Sequence, residues 1–488
     1  MKLSRRTILK GLAAGAAGAM LPTREALAQA AAEKTYVIEL CLRDQVDFGH
    51  VMVSPSLARA TNLKRGENGR AAALFYDQSK LIEKPNEVFL TPESKALEPH
   101  VDTIAMVELC QLTTGPVHGH EASNPTRSPG RTRNKTNGRI PMWNGEPGQQ
   151  NSEGASYSST PTIVSLHNAW ARTQSPARTN GVAIKGTQRA FAIYHFGAGL
   201  TGSELTRFQT VSALLKAFPD SAASADNNTL KTAAQADAVR DALTKLDRRL
   251  LETRSFAKSA VDSHVAQLAD VRNLLYRGAP KAFKLPLTAE EKSYWSSGVP
   301  GKYGRMTIDV WEQAAYAFKL ISNDIVQSVA LEVDIGDVHD QRTASQMKAQ
   351  TGIVVGPLVK LIESLKQAEL YDRTLIIVSL ADGSRAPAAG SAGDEGKNGF
   401  ILAGGMIRGG YYGDIKPGAS DGNGQKYIYH APDVATGEPI ATGTEKNDKR
   451  LDPAPLWRTM AKALKISDEF ASQFPDVASA KPMQWLLR

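Results

Sequence analysis

Cysteine is scarce in this chain: Cys41 and Cys110 are the two thiols among 488 residues. At most one bridge can form, and no disulfide framework or Cys-x-x-Cys redox motif exists. Both cysteines fall at the ends of expected strands, so a bridge closing the long loop between them would be worth about 4 kcal/mol. Neighbouring parallel strands fit disulfide geometry poorly, and two buried, inert thiols are the plainer expectation. Also missing are a Gly-x-Ser-x-Gly elbow, a Walker loop and a dinucleotide fingerprint, since Gly404-Gly405 and Gly409-Gly410 have the wrong spacing. No internal repeat is evident. No apolar run after the N-terminus is long enough to span a bilayer, so no transmembrane segment is expected in the mature chain.

What is there begins with Ser4-Arg5-Arg6-Thr7-Ile8-Leu9-Lys10, the address read by twin-arginine export. A short Ala/Gly-rich apolar stretch, Leu12 to Leu21, follows, and Ala26-Leu27-Ala28 offers a small-x-small cleavage site. Residues 1–28 are therefore expected to be a signal peptide, and the product to be periplasmic or secreted. That route carries proteins already folded in the cytoplasm, often with a cofactor loaded. The signal holds five of the basic residues and one of the acidic ones, so removing it lowers the formal charge from +8 to +4. The basicity belongs largely to the signal. No Lys/Arg run with interleaved aromatics remains, which excludes a nucleic-acid-binding face.

Residues 29–488 are long enough for a sizeable core and are read as a single domain. Buried strands are expected at Tyr36–Leu42, Thr103–Leu109, Phe191–His195, Ser328–Asp334, Leu375–Leu380 and Phe400–Ala403. A capping threonine with proline behind it, Thr160-Pro161, opens a helix over Thr162–Arg172. Residues 352–369 show helical spacing and run into the Leu375 strand. Strand–helix–strand order implies a largely parallel sheet covered on both faces. Residues 112–160 form a long Gly/Pro/Ser/Asn-rich loop, of the kind that is usually functional. Residues 204–277, about, read as a helical insertion with a solvated charged face.

In open α/β sheets, sites form beyond the carboxyl ends of the strands. Acids and histidines collect there: Asp47 and His50 after the first strand, His118, His120 and Glu121 after the second, Asp337 and His339 after the Ser328 strand. Asp382 follows the Leu375 strand, with Asp394 and Glu395 soon after. In extended backbone, residues two apart point the same way, so His118 with His120 and Asp337 with His339 can each offer two groups to one ion. Mixed Asp/His donors suit zinc, manganese or iron better than calcium. Such an ion polarises an ester oxygen and generates a nucleophile. Any one pair taken singly is more often cap and turn chemistry than a ligand pair. Ser123, Thr126 and Ser128 are candidate nucleophiles, and Arg127 a candidate anion contact. Turn propensity alone would also choose these residues. His167 and His264 read as packing or surface residues; His195 and His430 stay open as distant ligands.

Several of these motifs resemble a family of twin-arginine-exported bacterial proteins of unknown function, grouped with the alkaline phosphatase and sulfatase superfamily. The likeness lies in Leu42-Arg43-Asp44-Gln45-Val46-Asp47, Asp337-Val338-His339, Tyr371 through Ser379, and Ala403-Gly404-Gly405 with Gly409-Gly410. It implies an alkaline-phosphatase-like three-layer α/β sandwich with a mostly parallel sheet and a helical insertion. It also implies metal at positions matched by Asp47, Asp337 and His339. Two motifs depart from the pattern. Ser379-Leu380-Ala381-Asp382-Gly383-Ser384-Arg385 stands where Ser-Glu-Phe-Gly-Arg is expected, and Asp394-Glu395 stands where Asp-His is expected.

Two functions follow. One is an exported metal-dependent hydrolase-like protein acting on a small anionic phosphate or sulfate ester. Its ion would sit among Asp47, His118, His120, Asp337, His339, Asp382, Asp394 and Glu395, with Ser123, Thr126 and Arg127 supplying nucleophile and anion contact. The other, favoured by the altered late motifs, is a catalytically degenerate exported binding or scaffold protein that keeps the fold and meets a protein partner.

Overall fold

The computed structural model describes residues 34–43, 48–61, 76–110, 160–174, 180–186, 205–217, 285–302, 306–335, 343–380, 398–421, 424–440 and 451–488. In chain order the strands are β1 (Tyr36–Arg43), β2 (Met52–Val53), β3 (Ile82–Lys84), β4 (Val88–Leu90), β5 (Ile104–Cys110), β6 (Val182–Lys185) and β7 (Thr206–Phe208). They continue with β8 (Ser328–Asp334), β9 (Thr374–Leu380), β10 (Asn398–Ala403), β11 (Gly410–Tyr412), β12 (Asp414–Asp421) and β13 (Gly424–His430). The helices used below are α1 (Pro55–Arg59), α2 (Ile163–Gln174), α3 (Val211–Ala217), α4 (Ala289–Ser296), α5 (Val310–Ser322), α6 (Ala344–Gln367) and α7 (Pro453–Ala463). A 3-10 segment spans Pro92–Thr103.

Eight strands form one sheet in the order β11-β5-β10-β9-β1-β8-β6-β7. Every neighbouring pair is parallel except those made by β10, which runs against both β5 and β9. Alternation along the central strands divides the core in two. Ile38, Leu40, Leu42, Leu331, Ile376 and Val378 pack with α5, α6 and the 3-10 segment on one face. Val37, Cys41, Ala183, Ala330, Leu375 and Ile377 pack with α2 and α7 on the other. Both faces are dry, which is why these strands read as continuous apolar runs. The chain is thus a three-layer α/β sandwich with a mostly parallel sheet, and Tyr36–Arg488 cluster as one compact unit.

Local chemistry sets the element ends. Thr343 Oγ1 accepts the Gln346 N–H at 3.3 Å, and Gln346 Oε1 accepts the Thr343 N–H at 3.0 Å. This capping box starts α6 eight residues before the apolar spacing announces it. The α2 start also differs from expectation. Thr162, not Thr160, caps it, accepting the Ser165 N–H at 3.3 Å. Thr160 instead donates to Asp476 Oδ2 at 3.0 Å, while Trp457 Nε1 donates to the Pro161 carbonyl at 2.9 Å. Residues 206–208, placed in the helical insertion by sequence, form the edge strand β7 beside β6, followed by the short α3. The Phe191–His195 strand, the 112–159 part of the long loop, and residues 218–277 of the insertion lie outside the described residues.

The cysteine geometry is settled by strand order. Between β1, which carries Cys41, and β5, which ends at Cys110, lie β9 and β10. Three strand spacings amount to ~14 Å, double the reach of a disulfide. Cys41 is buried and stands outside any disulfide.

Candidate functional site

The carboxyl edge of the parallel strands is drawn by their register. Leu42 of β1 pairs with Leu380 of β9, and Arg43 pairs with Asp334 of β8. Lys185 pairs with Glu332, so β6 ends two residues short of that row. On the far side, Asn398 pairs with Cys110: antiparallel β10 begins where parallel β5 stops. Four connections therefore start or finish along one edge. They are the segment after β1 carrying Asp47, that after β5 carrying His118, His120, Ser123, Thr126 and Arg127, and that after β8 carrying Asp337 and His339. The fourth joins β9 to β10 and carries Asp382, Asp394 and Glu395. All eleven of these residues lie outside the described residues. Among the described residues, no group of three or more His, Cys, Asp or Glu side chains is arranged to hold a metal ion.

Directly beneath this edge the described strands carry a polar layer on the α2 face. Ser379, Cys41, Glu332 and Lys185 occupy one row across β9, β1, β8 and β6. Glu39 lies two residues below Cys41, and Asp334 two above Glu332 on the same side. Glu39, Glu332 and Asp334 are all buried. Ser379 Oγ donates to Glu39 Oε1 at 2.6 Å, tying β9 to β1 three residues before Asp382. Carboxyl groups are rarely fully buried unless paired or hydrogen-bonded, so three on two adjacent strands mark a specialised edge. Sequence reading passed over Glu39 and Glu332 because they sit inside apolar runs, Tyr36–Arg43 and Ser328–Asp334, whereas Asp334 stands at the visible end of the second run. A glutamate in the middle of such a run was the available signal.

The segment that follows β1 is anchored at its far end as well. The His50 carbonyl accepts hydrogen bonds from Thr91 Oγ1 at 2.8 Å and Thr351 Oγ1 at 3.5 Å. Four residues, 44–47, thus span from the last residue of β1 to a fixed turn at Phe48–His50. Toward the β11 side of the sheet, Tyr411 Oη donates to Glu108 Oε1 at 2.9 Å, and outside that sheet Ser54 Oγ donates to Asp414 Oδ1 at 2.5 Å. Burial first, then the Glu108 charge and hydrogen bond, hold the Tyr411 phenol well above its ordinary range, so it stays a donor.

Two further histidines among the described residues have partners within the fold, while His195 and His264 lie outside the described residues. His167 Nδ1 lies 2.8 Å from Ser328 Oγ at the start of β8, in line with its expected packing role. His430, left open by sequence, is buried in the β12–β13 hairpin, where its Nδ1 lies 2.8 Å from the Ile440 carbonyl.

Comparison with known proteins adds the following. Residues 2–22 match the model of the twin-arginine translocation pathway signal sequence. No curated protein matches the chain by sequence. Among solved structures, Ps i-CgsB in complex with k-i-k-neocarrahexaose is similar at 12% identity and TM-score 0.34, over 93% of this chain and 75% of that one. The lipoteichoic acid synthase LtaP from Listeria monocytogenes is similar at 10% identity and TM-score 0.30, over 91% and 93%. Alkaline phosphatase from the Antarctic bacterium TAB5 matches at 12% identity and TM-score 0.26, over 88% and 98%. Likeness at this level carries no functional argument. The class defined by signal and architecture is an exported α/β sandwich protein. Among the described residues, no helix is long and apolar enough to cross a membrane.

Proposed function

We propose that this protein is an exported hydrolase of phosphate or sulfate esters whose ion site assembles along the carboxyl edge of β9, β1 and β8. The observation that carries this reading is the in-register side-by-side ending of those three parallel strands. The segments bearing Asp47, Asp337, His339 and Asp382 leave the sheet within about two strand spacings, ~10 Å. The donor set, carboxylates with imidazole, fits a divalent transition ion. When bound, such an ion supplies charge to the ester oxygens and lowers the proton affinity of a coordinated nucleophile. His118, His120, Asp394 and Glu395 are the further ligands available. In this reading, Arg127 neutralises the anionic group, and Ser123 or Thr126 supplies the attacking hydroxyl. The buried Glu39–Ser379 contact fixes the β9 exit from below.

The test is metal analysis of protein matured through its own export route, paired with turnover of chromogenic phosphate and sulfate esters. A stoichiometric transition ion, lost together with turnover in His339→Ala and Asp337→Asn, is the expected result. Metal-free, fully folded protein with no turnover overturns it and leaves the exported binding protein. Bound metal without turnover, together with a lower Tm on chelation, identifies a purely structural ion.

A further inference from the structure

Beside the edge, on the α6 face, lies a cleft of about 190 Å³ that the proposed hydrolase chemistry does not use. The 3-10 segment contributes Glu93 to one wall. The first two turns of α6 contribute Ser345, Met347 and Lys348 to the other. His50 and Tyr76 also line it, their rings 5.5 Å apart and nearly perpendicular. The hydrogen bonds from Thr91 and Thr351 to the His50 carbonyl hold that part of the wall in place.

Two features give the cleft a chemical preference. Glu93 and Lys348 carry opposite charges on facing elements, and among the described residues neither makes an ion pair, with the other or elsewhere. Between them is room for about six waters at ~30 Å³ each. The rest of the lining is mixed: the Ser345 hydroxyl stands one helical turn from Lys348, and Met347, 2% exposed, offers a small apolar surface. A ligand with a single charge would satisfy one wall and leave the other to solvent. A ligand with both charges and a short apolar body satisfies both features.

We propose that this cleft binds a small zwitterion of the α-amino acid class. Its ammonium group meets Glu93, its carboxylate meets Lys348 and the Ser345 hydroxyl, and its side chain lies against Met347. The carboxylate end also falls at the positive end of α6, which favours the same orientation. The proposal is independent of the ion site.

The experiment is calorimetric titration of the full mature protein with L-alanine, and with acetate and ethylammonium as single-charge halves. Saturable one-to-one binding of alanine is expected, with each half at least about tenfold weaker. Glu93→Gln should weaken alanine and ethylammonium but not acetate; Lys348→Gln should weaken alanine and acetate but not ethylammonium. Glu93 and Lys348 are both exposed, so neither substitution should alter far-UV circular dichroism or Tm. The absence of saturable alanine binding, acetate binding as tight as alanine, or alanine binding indifferent to both substitutions overturns the proposal.

Discussion

Ser379 on β9 donates its hydroxyl proton to Glu39 on β1 at 2.6 Å, inside the core and 340 residues away along the chain. The contact staples two neighbouring strands where their exits define the candidate site. Ser379→Ala removes a donor from a buried carboxyl group, a change that costs about 1–3 kcal/mol. Glu39→Gln keeps an acceptor for the Ser379 hydroxyl, so it should cost less. Urea denaturation of the two variants distinguishes the outcomes; equal and negligible losses would show that the staple contributes nothing.

Tyr371, 3% exposed, shares a hydrogen bond of 2.8 Å with Thr103 Oγ1. Burial pushes its phenol up from 10.0 to about 12, and the Thr103 hydrogen bond offsets only part of this. The folded protein keeps this proton to higher pH than the unfolded chain does. Its contribution is therefore complete below pH 10 and is lost as pH rises from 10 through about 12. The size is about 2–3 kcal/mol. Tyr371→Phe should flatten the alkaline limb of the stability curve, as read from unfolding midpoints measured at several alkaline pH values.

At the acid end, His100 plays the opposite part. Burial, then the charge of Lys366, whose Nζ sits 3.1 Å from His100 Nδ1, hold the ring below its ordinary value of 6.5; Glu363 and the Pro99 backbone oppose them. Below pH 6.5 the unfolded chain takes up this proton before the folded one does, so stability is lost as pH falls from there. Lys366→Met should raise the His100 pKa and make stability less sensitive to acid. An NMR titration of the His100 ring reports the first effect directly.

The separation of β1 from β5 by two strands predicts that mature protein contains no Cys41–Cys110 bridge. Its mass should be the same with and without reductant. Cys41, at 0% exposure, should react with a thiol reagent at the rate of unfolding. A two-dalton shift on reduction would contradict the strand order.

Legibility in the sequence followed burial. The runs of β1, β8 and β9 were readable to within a residue because they are covered on both faces and rich in Val, Ile and Leu. The four-residue β6 was too short to stand out, and the polar hairpin β12–β13 has no apolar stripe. The first eight residues of α6 were missed because its capping box and polar first turn carry no periodicity. Strand direction was the hardest property: nothing in Asn398–Ala403 says that it runs against its neighbours, since both orientations bury the same side chains. That β1, β8 and β9 end along one edge was readable as a rule of α/β sheets. Glu39 and Glu332 beneath it were hidden by the apolar residues around them.

The reversed strand has one more consequence. Because β10 runs against β9, the end of β9 and the start of β10 lie at the same edge of the sheet. Closing a connection between two such ends costs little more when it lengthens, since each doubling adds only about 0.6 kcal/mol. The stretch is therefore free to grow, shrink or change wholesale over evolutionary time while the scaffold stays put. Descendants of one ancestral architecture can acquire new selectivity there by insertion and deletion alone.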